Sequence, residues 1–502
     1  MAHQQLVATS SYSLSFATLA DSLLGSVRDA IFQSSFLPLA SFAESAVVAT
    51  LQQLEHGQLR VVKQDGLAQV FPPGTARPGP SAELHVVRDA FWLRLACMGG
   101  LGFAEAFMFG DVKCDAENLR NVFKIFLLNR ENMDRIEGTF ARAFSAIPNY
   151  LTATRFANAL GITRGNISAH YDISNRMFEG FLSRDMMYSS AIFEDVDADL
   201  SALPSRQRAP ARSHVVSDDC HDVDELHEGQ LRKIRHILRR LKIKPGHRIL
   251  EVGTGWGEFA ICAVQSVPGF DCTVESITLS SEQKALAEQR IAEAGLSDKI
   301  RVHLLDYRAL PKEWEGTFDR FVSIEMIEHV GLNFLPTYFG VVHWALKKRD
   351  AVGVIQVSTM PETRVEAYEH SVDFIQKYVI FPGCFLPTVT QLVQGIHKGS
   401  QAKFIVDTVD NVGPHYPRTL REWAKRFDGC FDDVIAPELR KQYPDGMKGG
   451  GGKEELQIFR RKWLCNYYCE AGFQSRTLGN HTVSFVREAS ASYGCNLEAS
   501  SI

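Results

Sequence analysis

The chain has 502 residues, with 54 Lys and Arg against 59 Asp and Glu and a formal net charge of −5. That length can bury a large core in two or three domains, while the near-balanced charge and the lack of any Lys/Arg-dense run give no electrostatic ground for nucleic acid as a partner. The ten cysteines, spread from Cys97 to Cys495 without a CxxC pair, exclude a disulfide scaffold or a cysteine-based zinc site by spacing and point to a reducing, cytoplasmic setting.

Residues 1–35 form a Ser/Thr-rich tail with no basic run in its first twenty residues, so neither a secretory nor a mitochondrial leader is expected. Residues 36–160 carry their own pattern. The turn-rich FPPGTARPGPS at 71–81 leads into alternating apolar positions at Leu84, Val86 and Val87, which predict a small sheet. Helical runs then cover Phe91 to Ala96, a glycine-broken segment to Phe109, and Leu119 to Leu128, giving a small α+β domain. The longest weakly charged stretch, Ala90 to Phe109, contains Arg94 and Glu105, so a bilayer span is not expected.

The segment 165–195 combines a helical repeat (Phe178, Phe181, Leu182) with polar residues that core packing does not explain: His170, Tyr171, Asp172, Asn175, Tyr188, Ser189 and Ser190. It reads as a cap over a site. Residues 196–228 are acidic and aperiodic, a linker loop. The His214, Cys220, His221 and His227 within it match no zinc spacing, and no metal site is expected.

From 229 to 487 the rhythm alternates. Leu231, Ile234, Ile237, Leu238 and Leu241 line one helix face; strands follow at Ile249–Val252, Cys272–Ile277, Ile300–Leu305, Phe318–Ile324 and Val352–Val357, with a capping box at Ser280 and Gln283. A helix is expected over Tyr338–Leu346, and an apolar insertion, 359–402, is placed to act as a lid. Beyond it come a strand Phe404–Val409, helices Leu420–Phe427 and Leu456–Ala471 separated by a glycine-run loop at 449–452, a closing hairpin of Gln474–Leu478 and Thr482–Val486, and a short tail, 488–502. This is a doubly wound, mostly parallel α/β sheet, whose ligands sit beyond the carboxyl ends of the strands. Glu251, Thr278, Asp306 and Glu325 all fall at such ends.

The first of these strands ends in ILEVGTGWGEF (249–259), with Gly253, Gly255 and Gly257 at alternate positions. Such glycines let the backbone approach a flat ligand. A dinucleotide loop would place its third glycine at 258, where this chain has Glu258; a carboxylate there disfavours a phosphate and tolerates the cationic sulfonium of S-adenosylmethionine.

Taken together, HYDISN (170–175), MMYSSAIF (186–193), ILEVGTGWGEF, SITLSSEQ (276–283), LLDYRAL (304–310), SIEMIEHVG (323–331), IQVSTMPE (355–362), FIQKYVIFPGCFLP (374–387) and VGPHYPRTLREWAKRF (412–427) resemble the cyclopropane-fatty-acyl-phospholipid synthase family of S-adenosylmethionine-dependent methyltransferases. Residues 36–130 are more loosely similar to the lipid-transfer-type domain of its plant- and fungal-type branch. The resemblance implies a seven-stranded class I methyltransferase sheet with a terminal β-hairpin. It implies that Tyr188, Ser189, Glu251, Gly253, Gly255, Gly257, Thr278, Leu279, Gln283, Asp306 and Tyr307 surround S-adenosylmethionine. In bacterial members a bicarbonate is held by a cysteine, a glutamate, a histidine, a tyrosine and one backbone group. The matching positions here are Ser190, Glu328, Gln356 and Tyr416, with His329 beside Glu328, so the resemblance makes Glu328, directly or through bicarbonate, the base that closes the ring.

The implied substrate is an unsaturated acyl chain of a phospholipid, approached by peripheral contact with a membrane surface; a homodimer is compatible with this. Three other functions fit the same motifs: C-methylation to a branched lipid, N-methylation of a small amine, and lipid binding by a chain with an inactive methyltransferase domain. Retention of Glu251, the loop glycines, Asp306 and Glu328 argues against the last.

Overall fold

The computed structural model describes residues 37–75, 77–130, 174–200, 224–369, 373–378, 384–444 and 449–488. His170, Tyr171, Asp172, His214, Cys220, His221 and Phe381 lie outside them. The chain divides into two compact units, one of 1–162, 366–383 and 431–475, the other of 163–365, 384–430 and 476–502.

The first unit contains a four-stranded sheet in the order β2-β1-β3-β4, with β1 Gln58–Val62, β2 Ala68–Phe71, β3 Ser81–Val86 and β4 Val112–Lys113. Ala82, Leu84 and Val86 point to the core from alternate positions of β3, as period-two patterning requires. The helix Ala90–Phe109 breaks at Gly99, whose φ of 51° lies outside helical space, and resumes. The next helix, Ala116–Leu128, starts at Asp115, whose carboxylate accepts the Asn118 N–H at 2.8 Å, and buries Leu119, Val122 and Ile125. Phe374 and Tyr378 are buried in this same core with Ile458 and Cys465. The lid expected over 359–402 therefore does not include Phe374–Tyr378. The helices Ala436–Gln442 and Gly449–Tyr467 belong to this unit as well, and the glycine run placed in a loop opens the second of them.

The second unit is built on a seven-stranded sheet in the order β10-β11-β9-β8-β5-β6-β7. Its strands are β5 His247–Val252, β6 Cys272–Thr278, β7 Ile300–Leu304, β8 Arg320–Ile324, β9 Val352–Thr359, β10 Phe404–Asn411 and β11 Gly479–Arg487. β5 to β9 run parallel, and β11 lies antiparallel between β9 and β10. The hairpin expected from Gln474–Leu478 and Thr482–Val486 is not formed. Gln474 ends a short helix, and 479–487 is one strand buried on both faces, so its side chains do not alternate between core and solvent. Ser280 caps the helix Ser281–Glu293 by accepting the Gln283 N–H. The return bond of the expected capping box is missing because Gln283 Oε1 accepts from Thr278 Oγ1 at 2.8 Å instead.

Strand order reverses between β5 and β8, the switch point at which a parallel sheet opens a crevice. Register then decides which side chains share it. Glu251 stands opposite Ser276 on β6, Ile324 opposite Gln356 on β9, and Gln356 and Ser358 opposite Thr482 and Asn480 on β11.

Candidate active site

A cleft of ≈ 940 Å³, part of it open to solvent, lies at this switch point. Of the residues expected around the ligand, Tyr188, Ser189, Glu251, Gly253, Gly255, Thr278, Leu279, Gln283 and Tyr307 line it. Gly253 (φ 104°) and Gly255 (φ 51°) both adopt left-handed backbone. A Cβ on Gly253 would come within 3.2 Å of Met326, whereas one on Gly255 would meet nothing within 4 Å. Gly255 therefore leaves room that a ligand can use.

Two expected positions serve other ends. Gly257 caps the helix Glu258–Gln265, and a Cβ there would press on Ala287 at 3.3 Å, so its smallness serves helix packing. Asp306 turns away from the cleft into a fork with Arg308, whose Nε and Nη2 donate to its two oxygens at 2.9 and 2.7 Å, and it also accepts the Arg308 N–H. Glu258, for its part, lines the cleft but is paired with Arg290 at 2.7 Å, which weakens the repulsion expected of it toward a phosphate.

Glu251 is buried, 3% exposed, and its Oε2 accepts from Ser276 Oγ at 2.5 Å. Burial pushes its carboxyl pKa up to about 8, the Ser276 bond opposing the shift. A ligand bringing hydroxyl donors to this carboxylate would replace the water it lost on folding.

The loop over the cleft is held from behind. Gln230 Nε2 donates to the Ser189 carbonyl at 2.8 Å, Lys233 Nζ to Ser189 Oγ at 2.5 Å, and the Ala191 N–H to Thr419 Oγ1 at 3.1 Å. Aromatic rings back it: Tyr188 sits 5.0 Å from Trp423 and 5.4 Å from Phe178, centroid to centroid, and Phe178 is 5.1 Å from Trp256. The Trp256 indole N–H in turn donates to Asn175 Oδ1 at 2.9 Å, which ties HYDISN to the glycine loop.

Three of the expected catalytic residues converge, but on Glu325 rather than Glu328. Glu325 Oε1 accepts the Ser190 N–H at 2.9 Å, Gln356 Nε2 at 3.0 Å and Asn480 Nδ2 at 2.8 Å; Oε2 accepts the Tyr416 hydroxyl at 2.8 Å. Ser190 contributes its backbone, since its hydroxyl donates to the Ala191 carbonyl at 3.3 Å. Burial and the charge of Glu325 push the Tyr416 hydroxyl pKa well above its usual value, which keeps it a donor. Glu325 follows the last residue of β8 with φ 46°, a left-handed conformation that costs a non-glycine residue about 1–2 kcal/mol, and it lines the cleft.

Glu328 is placed differently. It is buried outside the cleft wall, and its Oε1 accepts the Ser358 N–H at 2.6 Å, while Oε2 has no hydrogen-bond partner among the described residues. Burial, and then the nearby Glu325 charge, raise its pKa far above the usual carboxyl range, so it favours the protonated form. His329 does line the cleft, and burial lowers its pKa, keeping the imidazole neutral. Sequence reasoning missed Asn480, which carries no motif and enters only through the β9–β11 register. It noted Glu325 as a strand end without giving it a role. His227, read as part of the acidic linker, lies in the helix Glu225–Leu241 and pairs with Asp185 at 2.7 Å.

Residues 161–444 match the family described as mycolic acid cyclopropane synthetase. The chain is 33% identical over 457 residues to the tuberculostearic acid methyltransferase of Mycobacterium tuberculosis, covering 90% of this chain and 93% of that protein. It is 29% identical over 416 residues to the cyclopropane-fatty-acyl-phospholipid synthase of Escherichia coli, covering 81% and 88%. Among solved structures, coclaurine N-methyltransferase bound to N-methylheliamine and S-adenosylhomocysteine superposes with a TM-score of 0.53 at 16% identity, covering 76% of this chain and 98% of that one, a likeness of fold. The matched stretch holds the glycine loop, the cleft and every member of the Glu325 cluster but Asn480, and the chain belongs to the mycolic acid cyclopropane synthetase family of S-adenosylmethionine-dependent methyltransferases.

Proposed function

We propose that this chain transfers a methyl group from S-adenosylmethionine to an alkene carbon of an unsaturated phospholipid acyl chain and closes the product to a cyclopropane. The observation that carries the reading is a cleft whose wall sets two carboxylates in contrasting surroundings: Glu251, buried with one donor from Ser276, and Glu325, held by four. Bound at the glycine loop, S-adenosylmethionine would supply an electrophilic methyl.

The residues then divide the work. Glu251, Thr278 and Gln283 meet the donor's polar groups on one side of the switch point. The rings of Tyr188 and Trp256 exclude water and offer their faces to positive charge on the acyl chain. Glu325 stands where a proton must leave. The substrate implies peripheral contact with a membrane surface; among the described residues no helix is long and apolar enough to cross one.

C-methylation to a branched chain is the second reading, favoured by the name of the 33%-identical mycobacterial relative. Mass spectrometry of host lipids after expression separates the two. A gain of one CH2 that resists hydrogenation shows a ring; a gain of CH2 that still hydrogenates shows a methylated alkene, and a further gain of two hydrogens shows a saturated branch. No gain on any unsaturated lipid would sink both readings.

Gly255→Val should lose calorimetric affinity for S-adenosylhomocysteine by about a hundredfold or more, because its methyl groups would occupy the open space beside the loop. Gly255→Ala shares the left-handed strain with less bulk and separates the two effects. Normal affinity in folded Gly255→Val would remove the loop from the binding surface.

A further inference from the structure

We propose that the Glu325 carboxylate is a built-in substitute for the bicarbonate of related bacterial enzymes, and is itself the base that takes the proton from the transferred methyl group. The inference rests on the methyl-transfer reading above and adds to it the identity of the base.

The residues at the bicarbonate positions do not fit a bound bicarbonate in this chain. The Ser190 N–H, the Gln356 amide and the Tyr416 hydroxyl all donate to Glu325, and the Ser358 N–H donates to Glu328. What those positions leave over is an acceptor: Gln356 Oε1 is buried with no hydrogen-bond partner among the described residues. An added anion would face that acceptor and the Glu325 charge, with the Ser190, Gln356 and Tyr416 donors already engaged by Glu325. Glu325 already presents the planar O–C–O group that bicarbonate would bring, tethered to β8.

Asn480 adds a donor outside the positions matched to the bicarbonate set, at 2.8 Å, so both Glu325 oxygens are fixed in direction. A fixed carboxylate is enough for this step. The alkene π pair forms the new bond to the methyl carbon as the C–S electrons leave with sulfur, giving S-adenosylhomocysteine and a carbocation on the other alkene carbon. A C–H bond of the new methyl then breaks; its electrons close the ring and its proton goes to Glu325, which returns it to solvent. A proton beside a carbocation is strongly acidic, so position matters more than basicity.

The left-handed backbone at Glu325 suits glycine, so Glu325→Gly should fold and leave a carboxylate-sized gap facing the Gln356, Asn480 and Tyr416 donors. The test uses full-length protein with vesicles of a cis-monounsaturated phospholipid. Wild-type turnover should be unchanged in CO2-free buffer. Glu325→Gly should fall by about a hundredfold or more and recover about tenfold with added bicarbonate or formate. Glu328→Gln, isosteric with a protonated acid, should lose far less than Glu325→Gln. In carbon-13 NMR, labelled bicarbonate should bind Glu325→Gly and not the wild type.

Wild-type turnover that collapses without CO2, labelled bicarbonate bound to the wild type, or undiminished turnover of Glu325→Gly in CO2-free buffer would each overturn the inference. The NMR measurement needs no lipid. A wild type that methylates no lipid defeats the functional reading, and the bicarbonate result is then still read independently.

Discussion

Glu251→Ala should bind S-adenosylhomocysteine at least about a hundredfold more weakly than the wild type. The carboxylate is 3% exposed, faces the cleft, and has one oxygen engaged by Ser276 at 2.5 Å. Hydrogen bonds to a charged group contribute about 1.5–3 kcal/mol each, so the loss of two hydroxyl contacts from a ligand exceeds about 3 kcal/mol. The same group gives the binding a pH dependence whose sign is fixed. With its pKa raised to about 8, Glu251 in the free protein is mostly protonated at neutral pH, while a ligand offering two O–H donors selects the ionised form. Affinity should therefore rise about tenfold per pH unit up to about pH 8 and then level. Glu251→Gln should flatten the slope, and an affinity independent of pH between 6 and 9 in the wild type would rule out an ionised Glu251 as the contact. Stability of the free protein should move the opposite way. Between the usual carboxyl value of 4.5 and about 8, the native state keeps a proton that the unfolded chain has released, so stability falls as pH rises through that window.

The second large effect is expected in the first unit. Arg94→Met should destabilise it by about 3 kcal/mol or more, seen as a lower urea midpoint of the transition that reports this unit. Arg94 is 6% exposed, and it bridges two carboxylates on its own and the following segment, Nη1 to Glu105 at 3.0 Å and Nε to Asp111 at 2.9 Å. Glu105 also accepts from Lys377 Nζ at 2.6 Å and the Tyr378 hydroxyl at 2.8 Å, and Asp111 pairs with Arg88 at 2.6 Å. Those partners soften the loss but do not replace a shared guanidinium between two buried charges, so the expected value sits at the low end for a broken buried pair. A change below about 0.5 kcal/mol would show that the cluster gains nothing from Arg94. These are also the charges that ruled out a membrane span in the helix Ala90–Phe109: in the folded unit they are consumed by one another.

Local pattern was enough for the parts of this protein that local physics controls. Alternation and turn residues gave the parallel strands β5 to β9 nearly to their ends, the broken helix at Gly99, and the strand–glycine–helix turn that shapes the cleft. Where a segment was buried on both faces, as in 479–487, the pattern lost its period and a hairpin was read in place of one central strand. Phe374 and Tyr378 looked like a lid because an apolar insertion has no periodicity to say which core it enters.

The site divides along the same line. Glu251, the loop glycines and the Thr278–Gln283 pair stand on one strand-turn-helix unit or its neighbour, so sequence by itself places them. The sequence reading took Glu328 as the base and gave Glu325 no role, although both lie in SIEMIEHVG three residues apart and carry the same chemistry. Tertiary structure decided which of the two collects the donors. The donors to Glu325 come from residues 190, 356, 416 and 480, far apart in the chain: the registers of β8 on β9 and of β11 on β9 bring in Gln356 and Asn480, and the loop at Ser190 and the start of the helix Tyr416–Cys430 bring in the other two, while Glu328 is left a buried acid.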